Sequence, residues 1–92
     1  MSTEITDNAE QGRYEIRLDG DLAGFAEYER GEGAVVFTHT EVDSAFEGKR
    51  VGSALARGAL DDVRSQGLSV VPLCPFIKKW ILRHPDYKDL VR

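Results

Sequence analysis

The sequence predicts a small α/β domain of the α+β kind, in which helices pack on a mixed, largely antiparallel sheet in the order β-β-β-α-β-α. Three observations predict it. The first half of the chain alternates apolar and polar residues between short glycine-containing turns. From residue 51 the apolar period becomes that of a helix. A short, almost wholly apolar segment then separates this helix from a second one.

The first three strands form an antiparallel meander. They span residues 13–18, 22–30 and 34–42, and the turns between them read Asp-Gly-Asp and Gly-Glu-Gly. The third strand is the richest in β-branched residues and therefore suits the middle of the sheet. If it is regular, His39 shares one face with Phe37.

Two helices follow the meander. Apolar residues recur every three or four positions across residues 51–66, and Gly67 follows as the expected glycine past a helix end. Gly58 lies inside this helix, which costs about 1 kcal/mol against alanine and suggests a close contact with the sheet. Residues 68–73 form a buried strand, and residues 76–84 form a second helix between two prolines.

The bulk properties indicate one soluble domain. The chain has 92 residues and a net charge of −4, which disfavours a nucleic-acid partner. Residues 1–12 are polar and aperiodic, so we expect a flexible tail there and a single domain over residues 13–92. The lone Cys74 excludes an internal disulfide. No signal peptide or long apolar run is present, which favours a cytoplasmic protein away from membranes, as a monomer or weak homodimer.

The loop between the third strand and the first helix carries the chemistry. A glycine-bearing turn at a helix start exposes backbone amides, and the helix dipole adds positive charge, so the site suits a pyrophosphate. Gly48 and Gly52 allow close approach, Lys49 and Arg50 add charge, and Ser53 adds a hydroxyl. Glycine turns of this kind also occur without any ligand.

The same loop resembles the pyrophosphate loop of the GCN5-related N-acetyltransferases, whose pattern is Gln/Arg-x-x-Gly-x-Gly/Ala. Glu47 stands at the first position, Arg50 at the inner glycine and Gly52 at the last. The run GKRVGSALARGAL is similar to the helix start of that family. The segments HTEV, VPLCPF and HPDY resemble, in order and spacing, a subfamily of very short members, and the likeness covers about residues 13–90.

This resemblance implies a truncated acyl-coenzyme A N-acyltransferase fold without the long helices that hold acceptors in larger members. It also implies acetyl-CoA or coenzyme A as cosubstrate, with no metal. The pantetheine arm is expected to bond the strand near Val42 like an added strand. The residues expected to bind the cosubstrate are Val42, Glu47, Gly48, Lys49, Arg50, Val51, Gly52, Ser53 and Lys79.

Three residues are candidates for catalysis. Cys74 precedes a helix, and in the resembling subfamily a cysteine at this position is proposed to accept the acetyl group; otherwise it is a small buried apolar residue. His39 is a candidate base or proton relay, or else a half-buried strand histidine. Glu41 is an alternative base, or else a solvated charge. The tyrosine that larger relatives use as an acid is replaced near Trp80.

Two functions remain open at this level. The first is an N-acetyltransferase that passes acetyl from acetyl-CoA to an unidentified amine, with Cys74 as a candidate intermediate carrier. The second is a coenzyme A binding sensor or interaction module without efficient turnover. A third interpretation is a small α/β protein that binds no ligand. The acidic composition favours a cationic acceptor, either a small molecule or a protein.

Overall fold

The computed structural model describes residues 2–46, 48 and 50–92. Its strands lie side by side in sequence order, antiparallel except for the parallel pair β4–β5. The strands are β1 Thr3–Asn8, β2 Arg13–Leu18, β3 Asp21–Gly31, β4 Ala34–Val42 and β5 Ser69–Pro72. The helices are α1 Val51–Ser65 and α2 Pro75–Arg83, with 3₁₀ turns at Ser44–Phe46 and Pro85–Leu90. The predicted mixed α+β sheet is confirmed.

The segment expected to be a flexible tail forms an additional edge strand instead. Strand β1 pairs with β2 from Thr3↔Leu18 to Asn8↔Arg13, and Gly12, with φ +65°, closes the turn between them. Ile5 is the apolar anchor of this strand, since it packs against the buried core. One apolar residue among polar neighbours gives no detectable period in the sequence, so the strand is visible only through its pairing.

Helix α1 packs across β2 and β3, and α2 packs against β4 and β5. The indole Nε1 of Trp80 on α2 donates to Ser53 Oγ on α1 at 2.9 Å, so the two helices lie on the same side of the sheet. Gly58 brings α1 close to β1, because a Cβ there would collide with Ile5. The close helix–sheet contact that Gly58 suggests therefore exists, and its partner is the unpredicted strand.

A β-bulge in β4 changes which side chains face the helices. Tyr28 pairs with Phe37 and Glu27 pairs with His39, so Thr38 is the extra residue opposite them. Phe37 is fully buried, whereas His39 is exposed. The expectation that these two residues share a face is therefore wrong, since it assumed a regular strand and the extra residue inverts the alternation.

The far end of the chain closes the core. Tyr87 and Leu90 in the last 3₁₀ turn are buried, and Val91 forms a parallel bridge with Val70 of β5. The short strand β5 is only half-buried at Val71, because no helix within the described residues covers that face. Within residues 2–46, 48 and 50–92, neither helix has the length and apolar character needed to span a bilayer.

Candidate active site

The site begins where β4 loses its parallel neighbour. Pairing between β4 and β5 stops at Phe37↔Pro72, and the Phe37 carbonyl then accepts from both Leu73 N at 3.1 Å and Cys74 N at 2.9 Å. The chain then turns into α2 at Pro75. Strand β4 continues to Val42, so its last part has β3 on one side and a gap on the other. Such a gap leaves backbone groups available to an extended ligand.

A cavity of about 540 Å³ opens beside this gap, between β4 and the starts of both helices. It brings together most of the residues that the sequence predicted for cosubstrate binding. Its lining consists of Thr40, Val42, Phe46, Gly48, Arg50, Val51, Gly52, Ser53 and Phe76. The predicted binding residues Glu47 and Lys49 lie outside the described residues.

The first turn of α1 presents backbone donors to this cavity. The first bond inside the helix runs from Ala54 N to Arg50 O at 3.0 Å. Within the described part of the chain, the amides of Val51, Gly52 and Ser53 have no backbone or side-chain acceptor. Helix geometry leaves these first amides unpaired, and the dipole favours an anion beside them.

Arg50 stands just before α1 in the left-handed conformation, with φ +59° and ψ +23°. This is the backbone region that glycine adopts without strain. Arg50 replaces the inner glycine of the family pattern. It nevertheless adopts the left-handed backbone conformation that a glycine would adopt there. The Arg50 side chain is exposed at the cavity wall and does not fill it.

Gly52 makes room for Phe76 of α2. A Cβ on Gly52 would lie 2.8 Å from Phe76 Cζ and 3.5 Å from Val42 Cγ2. Ser53 uses its hydroxyl oxygen to accept from Trp80, which leaves the hydroxyl proton available to the cavity. Lys79 is exposed on α2, three residues after Phe76, and does not itself line the cavity.

Cys74 lies behind the cavity wall rather than in the open. It caps the N-terminus of α2, is 2% exposed, and its sulfur lies 3.2 Å from Thr40 Oγ1. Either atom can be the donor of that hydrogen bond. Because Thr40 lines the cavity, the thiol is one side chain away from any ligand within it.

The other two catalytic candidates are on the opposite face of the sheet. His39 Nε2 lies 3.3 Å from Glu41 Oε1, and both side chains are more than half exposed. Glu41 also lines a second cavity of about 460 Å³ together with Phe25, Val42 and Asp43. The three catalytic candidates therefore lie on two sides of the sheet. Cys74 lies on the helix side, whereas the bulge in β4 turns His39 and Glu41 towards solvent.

The family model described as GCN5-related N-acetyl-transferase matches residues 13–90. The chain belongs to this family. Protein NATD1 of Xenopus tropicalis is 29% identical over 86 residues, covering 91% of this chain and 79% of the relative. Protein NATD1 of Danio rerio is 31% identical over 83 residues, covering 86% of this chain and 76% of the relative.

Solved structures share the fold of this chain. A GCN5-like protein from Staphylococcus aureus superposes with a TM-score of 0.74 at 20% identity, covering 97% of this chain and 87% of that one. Ard1 from Thermoplasma volcanium gives a TM-score of 0.57 at 25% identity, covering 66% of this chain and 43% of that one. The acetyltransferase fold is thus present in a shorter form.

Three cavity residues of this acetyltransferase-family chain were missed by sequence reasoning. Thr40 reaches the cavity only because the bulge inverts β4 after Thr38. Phe46 lies in the 3₁₀ turn before the loop, where no periodicity signals burial. Phe76 of α2 is 38% exposed and packs at the cavity mouth against Gly52, a contact between two helices that no local sequence pattern signals.

Proposed function

We propose that this chain binds acetyl-CoA in the 540 Å³ cavity and transfers the acetyl group to a primary amine. The observation that carries the proposal is that two sets of unpaired backbone groups lie at one cavity. The β4 edge beyond Phe37 and the first amides of α1 border the same cavity. We place the reaction in the cytoplasm, where a single cysteine stays reduced.

The cavity has separate regions for the two ends of the cosubstrate. The pyrophosphate binds the amides of Val51, Gly52 and Ser53, with Arg50 alongside. The pantetheine arm extends along β4 toward Thr40 and takes the place that β5 leaves after Pro72. This orientation brings the thioester to the bulge, near the Cys74 sulfur and below the opposite face of the sheet.

The amine reaches the thioester from the helix-free face in this proposal. Its nitrogen attacks the thioester carbonyl carbon, the carbon–sulfur bond then breaks, and coenzyme A leaves with its sulfur. The proton lost by the amine passes to Glu41 or His39, which lie together on that face, and then to water. The nearby cavity, with Glu41 and Asp43 carboxylates and the Phe25 ring, suits a cationic amine.

Cys74 supports a two-step version of the same transfer. Its sulfur attacks the thioester carbonyl, coenzyme A departs with the thiol proton, and the amine then takes the acetyl group from the cysteine. The contact with Thr40 gives the thiol a polar partner at the cavity wall. Burial at 2% exposure favours the direct transfer, because the thiol must first be uncovered.

Titration calorimetry with acetyl-CoA and coenzyme A tests the binding step. We expect saturable binding of both compounds, and acetylated products from a panel of primary amines and basic peptides by mass spectrometry. The Glu41→Gln variant should bind normally but turn over more slowly, and Cys74→Ala should lose any acetyl-protein adduct. Absence of binding at millimolar coenzyme A would overturn the proposal.

A second candidate is a coenzyme A binding module without efficient turnover. One observation favours it: Trp80 and Ile81, where larger relatives have a catalytic tyrosine, are both buried. The hydroxyl of Tyr87 donates to Asp61 at 2.7 Å and is thus held away from the cavity. Tight binding of coenzyme A combined with no acetylated product across the amine panel would favour this second candidate.

A further inference from the structure

The basic residues of this acidic chain fall into two groups. Four arginines are held by carboxylates: Arg13 and Arg17 by Glu15, Arg30 by Asp7, and Arg64 by Asp89. The other basic residues in the described part of the chain have no ion pair within it. Apart from two near the C-terminus, these lie just before α1, on α1 or on α2: Arg50, Arg57, Lys78, Lys79 and Arg83.

Arg57 lies further along α1, beyond the residues that line the 540 Å³ cavity. It follows Ser53 by four residues, so it lies on the same side of the helix, about 6 Å further along the axis. Its guanidinium lies 5.4 Å from the centre of the Trp80 ring, and Nη1 donates to the Tyr87 hydroxyl at 3.2 Å. These contacts hold an exposed cation in place above the line where the helices meet.

Two cations on α2 border the same line. Phe76 and Trp80 mark the side of α2 that faces α1, through their contacts with Gly52 and Ser53. Lys79 and Arg83 follow these two residues by three positions each, which places them along the exposed edge of that side. We call Arg50, Arg57, Lys79 and Arg83 the helix seam.

We infer that the helix seam binds the 3′-phosphate of coenzyme A and lets the protein distinguish coenzyme A from 3′-dephospho-CoA. The inference rests on the proposed function, because it takes the pyrophosphate to lie at the start of α1. The 3′-phosphate and the 5′-pyrophosphate are carried by the same ribose. A pyrophosphate on the amides of Val51, Gly52 and Ser53 therefore leaves the 3′-phosphate within about one helical turn, where Arg57 lies.

The surrounding charges favour this assignment. Asp61, four residues after Arg57 on α1, accepts from the same Tyr87 hydroxyl to which Arg57 donates, but it forms no direct ion pair with Arg57 in the described chain. A dianionic phosphate is the ligand that arginine and lysine side chains bind best in water-exposed sites. The chain has a net charge of −4, so four cations without a carboxylate partner at one place are unusual in it. Binding of a phosphate would explain why they lie beside the proposed nucleotide site.

The test compares titrations of the full chain with coenzyme A and with 3′-dephospho-CoA. We expect the wild-type chain to bind coenzyme A about tenfold more tightly, as one charged hydrogen-bonding group implies. Arg57→Gln and Lys79→Gln should each reduce this ratio about threefold or more, with little change in the affinity for 3′-dephospho-CoA. Lys78→Gln is the matched control, because Lys78 is a neighbouring exposed lysine on the side of α2 turned away from α1.

The outcomes separate the inference from the proposed function. Equal affinity of the wild-type chain for both compounds overturns the inference and leaves the cosubstrate site intact. A ratio that falls as much in Lys78→Gln as in Lys79→Gln also overturns it, because the preference then reflects overall charge. Binding of neither compound overturns the proposed function. Melting curves of each variant confirm that the folded chain is being compared.

Discussion

The two faces of the sheet differ in how much apolar surface they bury and in how their charged side chains are paired. The helix side buries nearly all of the apolar core and borders the 540 Å³ cavity, and the four cations of the helix seam have no carboxylate partner in the described chain, whereas Arg64 pairs with Asp89. On the helix-free side, a single carboxylate, Glu15, accepts from Arg13 Nε at 2.7 Å and Arg17 Nη1 at 2.8 Å. The helix side thus keeps the helix seam available to a ligand, whereas the helix-free side pairs both of these arginines with one carboxylate.

This contrast separates stability from recognition. The helix side contains the large buried residues, so the free energy of folding is concentrated there. The helix-free side is held by ion pairs and carries the exposed His39–Glu41 pair. The exposed Glu41 carboxylate on one face and the helix seam on the other suit the proposed transfer between an anionic cosubstrate and a cationic amine.

The largest effect is expected from a core truncation on the helix side. Leu55→Ala should lower the free energy of unfolding by about 3 kcal/mol, because Leu55 is fully buried and its removal leaves a cavity. Phe25→Ala on the helix-free face removes a larger side chain, which is half-exposed beneath Arg13, and should cost only about 1 kcal/mol.

Urea unfolding followed by circular dichroism measures both variants. If Phe25→Ala proves as destabilising as Leu55→Ala, the helix-free face is covered in solution, and the contrast between the faces fails.

The next effect tests the ion pairs of the helix-free face. Hydrogen bonds from Arg17 first, and from Arg13 and Asn8, lower the pKa of Glu15 from 4.5 to about 2 against the opposing effect of burial. A lowered folded-state pKa contributes stability above the unfolded pKa, and that stability is lost as the pH falls from about 4.5 towards 2. With allowance for the exposure of the arginines, the contribution is about 2 kcal/mol.

Unfolding free energies of the wild-type chain and of Glu15→Gln between pH 7 and pH 3 check this prediction. The variant should be less stable at pH 7, and the difference should shrink as the pH falls. Glu27→Gln on the same face is the control, since Glu27 forms no ion pair in the described structure. A difference that does not depend on pH would contradict the role of Glu15 as a buried anion.

The sequence predicted the fold more fully than the site. Apolar patterning located β2 to β5 and both helices, because each of them carries an apolar stripe or an apolar run. It missed β1, which contributes a single apolar anchor, Ile5, and it misassigned His39, because a bulge at Thr38 has no periodic signature. The cavity was predicted from glycines in the loop, whereas Thr40 and Phe76 became visible only through packing between distant elements.

Substitutions at Gly52 and Gly58 of α1 test whether the cavity, rather than the helix side as a whole, binds coenzyme A. Gly52→Ala should push Phe76 into the cavity and weaken coenzyme A binding about tenfold, equivalent to about 1.4 kcal/mol. Gly58→Ala makes the same chemical change six residues later on α1, but its new Cβ meets Ile5 of β1. It should alter stability and leave binding unchanged. Titration calorimetry with coenzyme A measures the affinity of both variants. Equal losses of affinity would contradict the assignment of the binding site to this cavity.

The smallest effect concerns the backbone at Arg50. Both Arg50→Gly and Arg50→Ala remove the charge, so both should weaken coenzyme A binding to a similar extent. Only glycine relieves the left-handed conformation at φ +59°, which costs a residue with a Cβ about 1 kcal/mol. Arg50→Gly should therefore be more stable than Arg50→Ala by about this amount, less the greater entropy of glycine in the unfolded chain. Thermal unfolding of the two variants measures the difference. If alanine is more stable than glycine here, the loop relaxes out of the left-handed region, and the amides of α1 are not held ready for an anion.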